Sequence, residues 1–139
     1  MVEIDITQWP TVYVEMNEIK TLPEMQEYVE KMNELLDYAE QQADKYGVIY
    51  LYQGAEQDPK SFKREKEAQK LNNQWLKENK ARVGEHCVAI AMVTPFKGMM
   101  KLMRPIARMS MKRMMGAPGD MFFNKEEAEK WMAEKLNVL

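Results

Sequence analysis

"CVAIAMV", residues 87–93, gives the strongest indication of architecture in this sequence. Its seven side chains are all apolar, so a strand formed by them would present apolar groups on both of its faces. Such a strand is typical of a sheet that helices cover on each side. We therefore expect an α/β protein in which Cys87 to Val93 form a central strand.

The residues on either side of this segment predict further strands. Apolar and polar residues alternate from Val2 to Ile6 and again from Val12 to Met16, which is the pattern of half-buried strands. Residues 47–52, GVIYLY, are β-branched and aromatic and predict a third strand, and Asp120 to Phe123 predict a short final one. We expect a five-stranded sheet with the apolar segment as its fourth strand.

Four helices are predicted between and after these strands. A capping box begins the first at Thr21, Asp58-Pro59 opens the second, Lys97 to Met115 form the third, and another capping box begins the fourth at Asn124. The predicted order is ββαβαβαβα, which implies a mixed, largely parallel sheet with helices packed on it. The length of 139 residues suits one core, so we expect one domain over residues 1–139.

Charge and methionine are distributed unevenly along the chain. The formal net charge is -2, but the six basic residues between Lys97 and Arg113 contribute +6, so the remainder of the chain carries -8. The segment from Lys97 to Asp120 also holds seven of the 14 methionines and has no carboxylate before its last position. This segment is therefore the first candidate for a functional surface.

The compartment is predicted from targeting signals and cysteine use. MVEIDIT at the start is acidic with alternating apolar residues, unlike the basic and then apolar pattern of a signal peptide. The longest uncharged apolar run, His86 to Phe96, has about half of the roughly 20 residues that a membrane-spanning helix needs. The single cysteine, Cys87, excludes an internal disulfide and fits a reducing compartment. We expect a cytoplasmic protein, with peripheral membrane contact as the alternative.

The supply of catalytic groups is small. His86 is the only histidine, which excludes metal sites built on several histidine or cysteine ligands. His86 and Cys87 are unsuited to act as a catalytic pair, because neighbours in a strand point to opposite faces. No Gly-x-Gly-x-x-Gly or Gly-x-Ser-x-Gly motif is present. We expect no catalytic residue, metal or cofactor. The rival hypothesis is an enzyme that uses a carboxylate with Tyr50 or Tyr52 in a pocket above the third strand.

Several short motifs are spread along the chain: Trp9-Pro10, Trp75-Leu76-Lys77-Glu78, the strand Cys87 to Val93, Phe123, Glu127-Ala128 and Trp131-Met132. Together they resemble the SpoIIAA-like branch of the STAS fold. That branch typically closes with a phenylalanine-ended strand, a Glu-Ala pair and a Trp-Leu pair, which Phe123, Glu127-Ala128 and Trp131-Met132 match. The resemblance covers nearly the whole chain and implies a small, non-enzymatic binding or regulatory module.

In one branch of that family, a serine in an Asp-Ser-x-Gly loop after the third strand is phosphorylated. The corresponding segment here, QGAEQDPKSFK, has no Asp-Ser pair, and Ser61 is the only nearby hydroxyl. We treat Gln53, Asp58 and Ser61 as a candidate regulatory loop. The alternative is that Ser61 is an ordinary surface or capping serine.

The third helix is predicted to carry the binding surface. Its cations step by four, three, four and four residues and so form one stripe, while its apolar residues cover more than half of the circumference. The predicted surface consists of Lys97, Lys101, Arg104, Arg108, Lys112, Met99, Met103 and Met111. Pro105 leaves an alternative open, in which two short helices at an angle bury both faces.

Three functions remain open for this helix. The first is a methionine-filled core helix whose basic stripe faces water. The second is a surface for association with a protein, either a different protein or a second copy of this chain. The third is a contact with an anionic membrane. Nucleic acid is disfavoured because the segment has no aromatic residue before Phe122 and the rest of the chain is acidic. We predict a non-enzymatic module that acts by protein association, with anionic-lipid or small apolar ligand binding as the alternative.

Overall fold

The computed structural model describes residues 2–52, 63–94 and 97–137, with the backbone alone for residues 97–99. The predicted order ββαβαβαβα is confirmed. The elements are β1 (Val2–Asp5), β2 (Thr11–Met16), α1 (Leu22–Gln42), β3 (Tyr46–Tyr52), α2 (Lys66–His86), β4 (Cys87–Val93), α3 (Lys97–Met115), β5 (Gly119–Phe122) and α4 (Lys125–Leu136).

The five strands form one mixed sheet in the order β1-β2-β3-β4-β5. β1 and β2 are antiparallel, and the remaining neighbours are parallel. The strand β4 lies in the interior of the sheet with apolar clusters on both faces, as its sequence predicts, while β3 takes the middle position. Since β5 pairs only with β4, it is an edge strand, and α3 packs beside it.

Helices cover both faces of the sheet. The larger cluster places α1, α2 and part of α3 over one face, where Tyr46, Val48, Tyr50 and Ile90 point. On the other face, α4 packs on the alternate residues of β3 and β4 through Met132. Successive residues of β3 therefore face opposite apolar layers, which accounts for its uninterrupted apolar and aromatic sequence.

The end of α1 differs from its prediction. Gly47 is the first glycine after the start of the first helix and, as a common helix terminator, predicts its end, but α1 ends at Gln42, and Ala43 caps it in the left-handed conformation with φ 50°. Gly47 instead lies in β3, where a Cβ atom would overlap the side chain of Met132. Close approach of α4 to the sheet, rather than helix termination, therefore requires glycine at this position.

The start of α2 also differs from its prediction. Asp58 and Pro59 lie outside the described residues, and residues 63–65 are not helical. Glu65 is hydrogen-bonded to the start of α1 and to the segment that precedes that helix. Its N–H donates to the Lys20 carbonyl over 2.8 Å, and its carboxylate accepts from Leu22 N over 2.7 Å. These tertiary contacts fix an extended segment where the sequence alone favours a helix.

Of the two predicted capping boxes, one is complete and the other is present as its N-cap bond alone. Thr21 and Glu24 form the full capping box of α1, with Pro23 in its first turn. The Asn124 side chain accepts a hydrogen bond from Glu127 N at the start of α4, over 2.8 Å. Local side-chain chemistry therefore sets both of these boundaries.

Candidate binding surface on helix α3

The helix α3 packs on the sheet along a narrow seam. It runs from Lys97 to Met115 as one helix with Pro105 inside, so the alternative of two separate helices is wrong. Its fully buried residues within positions 100–115 are Met100, Ala107 and Met111. A Cβ atom at Gly119 would overlap Met111, so this glycine of β5 lets the helix approach the sheet edge.

One predicted surface residue belongs to this seam. Met111 is only 7% exposed and packs in the core, so its assignment to the binding surface is wrong. Met103 is 37% exposed and stays on the surface. The side chains of Lys97 and Met99 lie outside the described residues, as do the candidate loop residues Gln53, Asp58 and Ser61.

Large apolar side chains are exposed along the rest of α3. In the described part of the chain, six such side chains are exposed, and five of them lie on this helix. At about 100° per residue, these five cover about 140° of the circumference. We call them the outer face of α3: Leu102, Met103, Ile106, Met109 and Met114.

Two cations of the predicted basic stripe share a single carboxylate. The Nε atoms of Arg104 and Arg108 lie 3.1 and 3.0 Å from Oδ1 of Asp120, a residue of β5. The same oxygen accepts from Met121 N over 2.8 Å, and the Asp120 side chain is 10% exposed. The Arg104 guanidinium also lies over the Phe122 ring, 5.7 Å from its centroid. The stripe is therefore partly anchored to the sheet edge.

An open groove of about 970 Å³ lies beside this cluster. It combines cationic and apolar walls, and we call it the arginine groove. Among the described residues, its lining consists of Met100, Lys101, Arg104, Pro105, Arg108, Met109 and Phe123. Lys112 is exposed on the same helix and does not line the groove.

A second cavity of about 410 Å³ lies between the first three helices and the sheet, in the region of the predicted tyrosine pocket. Methionine is the commonest residue of its described wall, which also contains Tyr28, Tyr50 and Tyr52. The hydroxyls of Tyr28 and Tyr50 are 2.9 Å apart, and burial raises the pKa of both groups. Among the described residues, no carboxylate lines this cavity, so the rival enzyme hypothesis lacks its base there.

The remaining candidate groups for chemistry lie at the junction of α2 and β4. His86 is the last residue of α2, and Cys87 is buried at the start of β4. Burial raises the pKa of the Cys87 thiol to about 12, which keeps it protonated and unreactive near neutral pH. Within the described ranges, no group of three His, Cys, Asp or Glu residues has an arrangement that could hold a metal ion. No helix in those ranges is long and apolar enough to cross a membrane.

Asp120 is the residue of the candidate site that sequence reasoning missed. The sequence places it at the start of a strand, without a role for its carboxylate. The available signal is its position as the first carboxylate after a long basic segment. A pairing with Arg104 and Arg108, across a turn and an edge strand, becomes visible only in the structure.

Comparison with known proteins identifies the architecture. No family model and no curated protein matches the sequence. The structure is similar to the crystal structure of an uncharacterized DUF3478-family protein with a SpoIIAA-like fold from Shewanella loihica PV-4, with a TM-score of 0.56 and 16% identity. The match covers 95% of this chain and 92% of the other. The resemblance that the sequence motifs indicate is therefore confirmed for the fold, and the chain has a SpoIIAA-like α/β fold with a mixed five-stranded sheet.

Proposed function

We propose that the protein is a non-enzymatic binding and regulatory module that associates with protein through the outer face of α3. One observation carries this proposal: five of the six large apolar side chains exposed in the described part of the chain lie on one helix. Contiguous apolar patches on soluble proteins are commonly interaction sites. Methionine also adapts its shape to a partner at little cost.

The fold and the interior support a role without catalysis. Members of the SpoIIAA-like branch are mostly small binding or regulatory modules, as the sequence resemblance implies. Tyr28, Tyr50 and Tyr52 have no carboxylate beside them among the described lining residues of their cavity. The buried Cys87 thiol is kept protonated. None of these groups favours an enzymatic role over a binding role.

We infer that the partner is a second copy of the chain. Lys101, Arg108 and Lys112 lie to one side of the outer face, so two copies can pack apolar residues together with these cations at the rim. Arg113 lies within the apolar arc. Because α3 has no carboxylate of its own, a carboxylate for Arg113 has to come from another element of the second copy, and the chain outside the six basic residues carries -8.

Light scattering across a wide range of protein concentration tests the association. We expect the mass to rise from the 16.4 kDa monomer toward that of a dimer, and Ile106→Glu to shift this rise to higher concentration. Ala81→Glu is the matched control, because it places the same group at an exposed position of α2. A monomer mass at every concentration, unchanged by Ile106→Glu, contradicts the homodimer.

A second candidate function is contact with an anionic membrane. The observation that favours it is the row of exposed cations beside an exposed apolar face, since such a helix can lie in a lipid interface. Each cation near an anionic surface contributes about 1 kcal/mol. Flotation with anionic vesicles separates the two functions: salt-sensitive binding by a monomeric protein favours the membrane.

A further inference from the structure

The arginine groove contains hydrogen-bond donors that no described residue of the protein accepts from. Arg104 and Arg108 both reach Asp120 through Nε alone. In the part of the chain that the structure describes, neither arginine donates a hydrogen bond through its Nη atoms. Each guanidinium therefore keeps the edge with two terminal nitrogens for another acceptor. Such an edge matches the oxygens of phosphate in a two-point contact.

The groove also has a surplus of positive charge. Its described residues supply three cations, Lys101, Arg104 and Arg108, and the adjoining Asp120 is the carboxylate that partly neutralises them. Two positive charges remain. A phosphate monoester carries about -1.5 to -2 at pH 7 and offers three acceptor oxygens, whereas a carboxylate carries only one negative charge. We propose that the arginine groove binds a phosphate monoester between Arg104, Arg108 and Lys101.

Asp120 is a positioning residue in this site. Its Oδ1 holds both Nε atoms at about 3 Å, which keeps two like charges side by side and fixes the direction of both guanidinium planes. The Met121 N–H holds the carboxylate in place from the backbone. The Phe122 ring under Arg104 limits that side chain further. Asp120 itself does not contact the phosphate.

The apolar wall of the groove indicates what the phosphate is attached to. Met109 and Phe123 are 84% and 37% exposed, and Met100 and Pro105 complete the wall. A groove of about 970 Å³ is at the upper end of the sizes usual for small-molecule sites. The ligand therefore has an apolar body beside its phosphate, whether it is a free small molecule or the headgroup end of a lipid. This inference does not depend on association through the outer face.

Calorimetric titration with phenyl phosphate tests the site. We expect saturable binding that is tighter than that of inorganic phosphate, because the phenyl ring contacts the apolar wall. Arg104→Gln and Arg108→Gln should each weaken binding by about tenfold or more, since each removes a charge-assisted contact. Lys112→Gln is the matched control and should change the affinity less than about twofold, because Lys112 lies outside the groove.

The Lys101→Gln variant tests phosphate binding without disturbing the contacts that hold α3 on the sheet. Lys101 has no contact with Asp120, so this variant leaves the Arg–Asp cluster intact and should still weaken binding severalfold. The proposal is overturned if folded wild-type protein shows no saturable binding of phenyl phosphate. It is also overturned if the two arginine variants bind as tightly as the wild type.

Flotation with phosphatidic acid vesicles distinguishes the two sources of phosphate. If the protein floats with these vesicles, and if phenyl phosphate or Arg108→Gln abolishes this flotation, the phosphate belongs to a lipid headgroup. Binding of phenyl phosphate without flotation supports a free small molecule. A monomeric protein that binds phenyl phosphate leaves this inference standing and removes only the homodimer.

Discussion

Two arginine clusters connect helices to their neighbours, and they differ in how their donors are used. Arg82 of α2 donates through Nε and Nη2 to Glu40, over 3.0 and 2.6 Å, and through Nη2 to Asp37, over 3.0 Å. Its Nη1 donates to Asn79 over 3.2 Å. Arg104 and Arg108 use only Nε, and they share one carboxylate.

The exposure of Arg82 and Arg104 does not distinguish these clusters. The side chains of Arg82 and Arg104 are 32% and 33% exposed. The number of satisfied donors and the balance of charge do distinguish them: one cation faces two carboxylates in the first cluster, and two cations face one carboxylate in the second. The first is therefore a clamp between α1 and α2, and the second is arranged to receive an anion.

The largest expected effect concerns the core between α1 and α2, on the side that Arg82 clamps. Trp75 is 4% exposed, and its Nε1–H donates to Asn33 over 2.7 Å. Trp75→Ala should lower the free energy of unfolding by about 3 to 5 kcal/mol. Met109→Ala on α3, at an 84% exposed position, should change it by less than about 0.5 kcal/mol. Equal losses of unfolding free energy for Trp75→Ala and Met109→Ala, measured by urea unfolding, would contradict the contrast between this core and the exposed side of α3.

Alkaline pH should weaken the same side of the molecule. Burial raises the pKa of Cys87, Tyr28, Tyr46 and Tyr50, all in the cluster under α1 and α2. The unfolded chain releases these protons first, so stability is complete below the unfolded pKa values and falls as pH rises above them. The buried thiol of Cys87 alone should lower the free energy of unfolding by at least about 2 kcal/mol by about pH 11.

Urea titrations at about pH 8 and about pH 11 measure this loss. Tyr50→Phe should reduce the dependence on pH, because it removes one of the titrating groups. An identical urea midpoint at both values would show that the buried hydroxyls and the thiol do not oppose unfolding in alkali.

Replacement of the shared carboxylate has an intermediate effect. Asp120→Asn removes the charge that holds two arginines, and we expect a loss of about 1 to 3 kcal/mol in the free energy of unfolding. Asp37→Asn is the matched change in the other cluster, where the side chain is 68% exposed and Arg82 keeps Glu40. If Asp37→Asn lowered the free energy of unfolding as much as Asp120→Asn does, the proposed difference between the two clusters would be contradicted.

A smaller effect is expected for Arg82 itself. Because the ion pairs of Arg82 are largely solvated, Arg82→Gln should cost no more than about 1 kcal/mol, and less at high salt. It should leave the affinity for phenyl phosphate unchanged. Arg82→Lys keeps the charge without the planar donors and separates their contributions. Weaker phosphate binding by Arg82→Gln would be evidence against a purely structural role.

Much of the fold follows from local patterns in the sequence. The apolar segment at Cys87 predicts an interior strand, the Thr21 box fixes the start of α1, and the bounds of α3 agree with Lys97 to Met115. Each of these features depends on residues that are close together in the chain. Local spacing is therefore sufficient to predict them.

The candidate site is less predictable because it depends on tertiary contacts. The apolar arc of α3 is wider than the seam that it buries, so periodicity alone does not show that Met111 faces Gly119. Similarly, the start of α2 depends on contacts of Glu65 with Lys20 and Leu22. The pairing of Arg104 and Arg108 with Asp120 requires the position of β5 at the sheet edge.

The most direct test of the account follows the arginine Hε resonances by NMR during a titration with phenyl phosphate. All three side chains are observed in one sample, so Arg82 serves as an internal control. We expect the Hε signals of Arg104 and Arg108 to shift and saturate together, while that of Arg82 stays in place. No shift at Arg104 and Arg108, or an equal shift at Arg82, would contradict the claim that α3 and β5 form an anion-binding site.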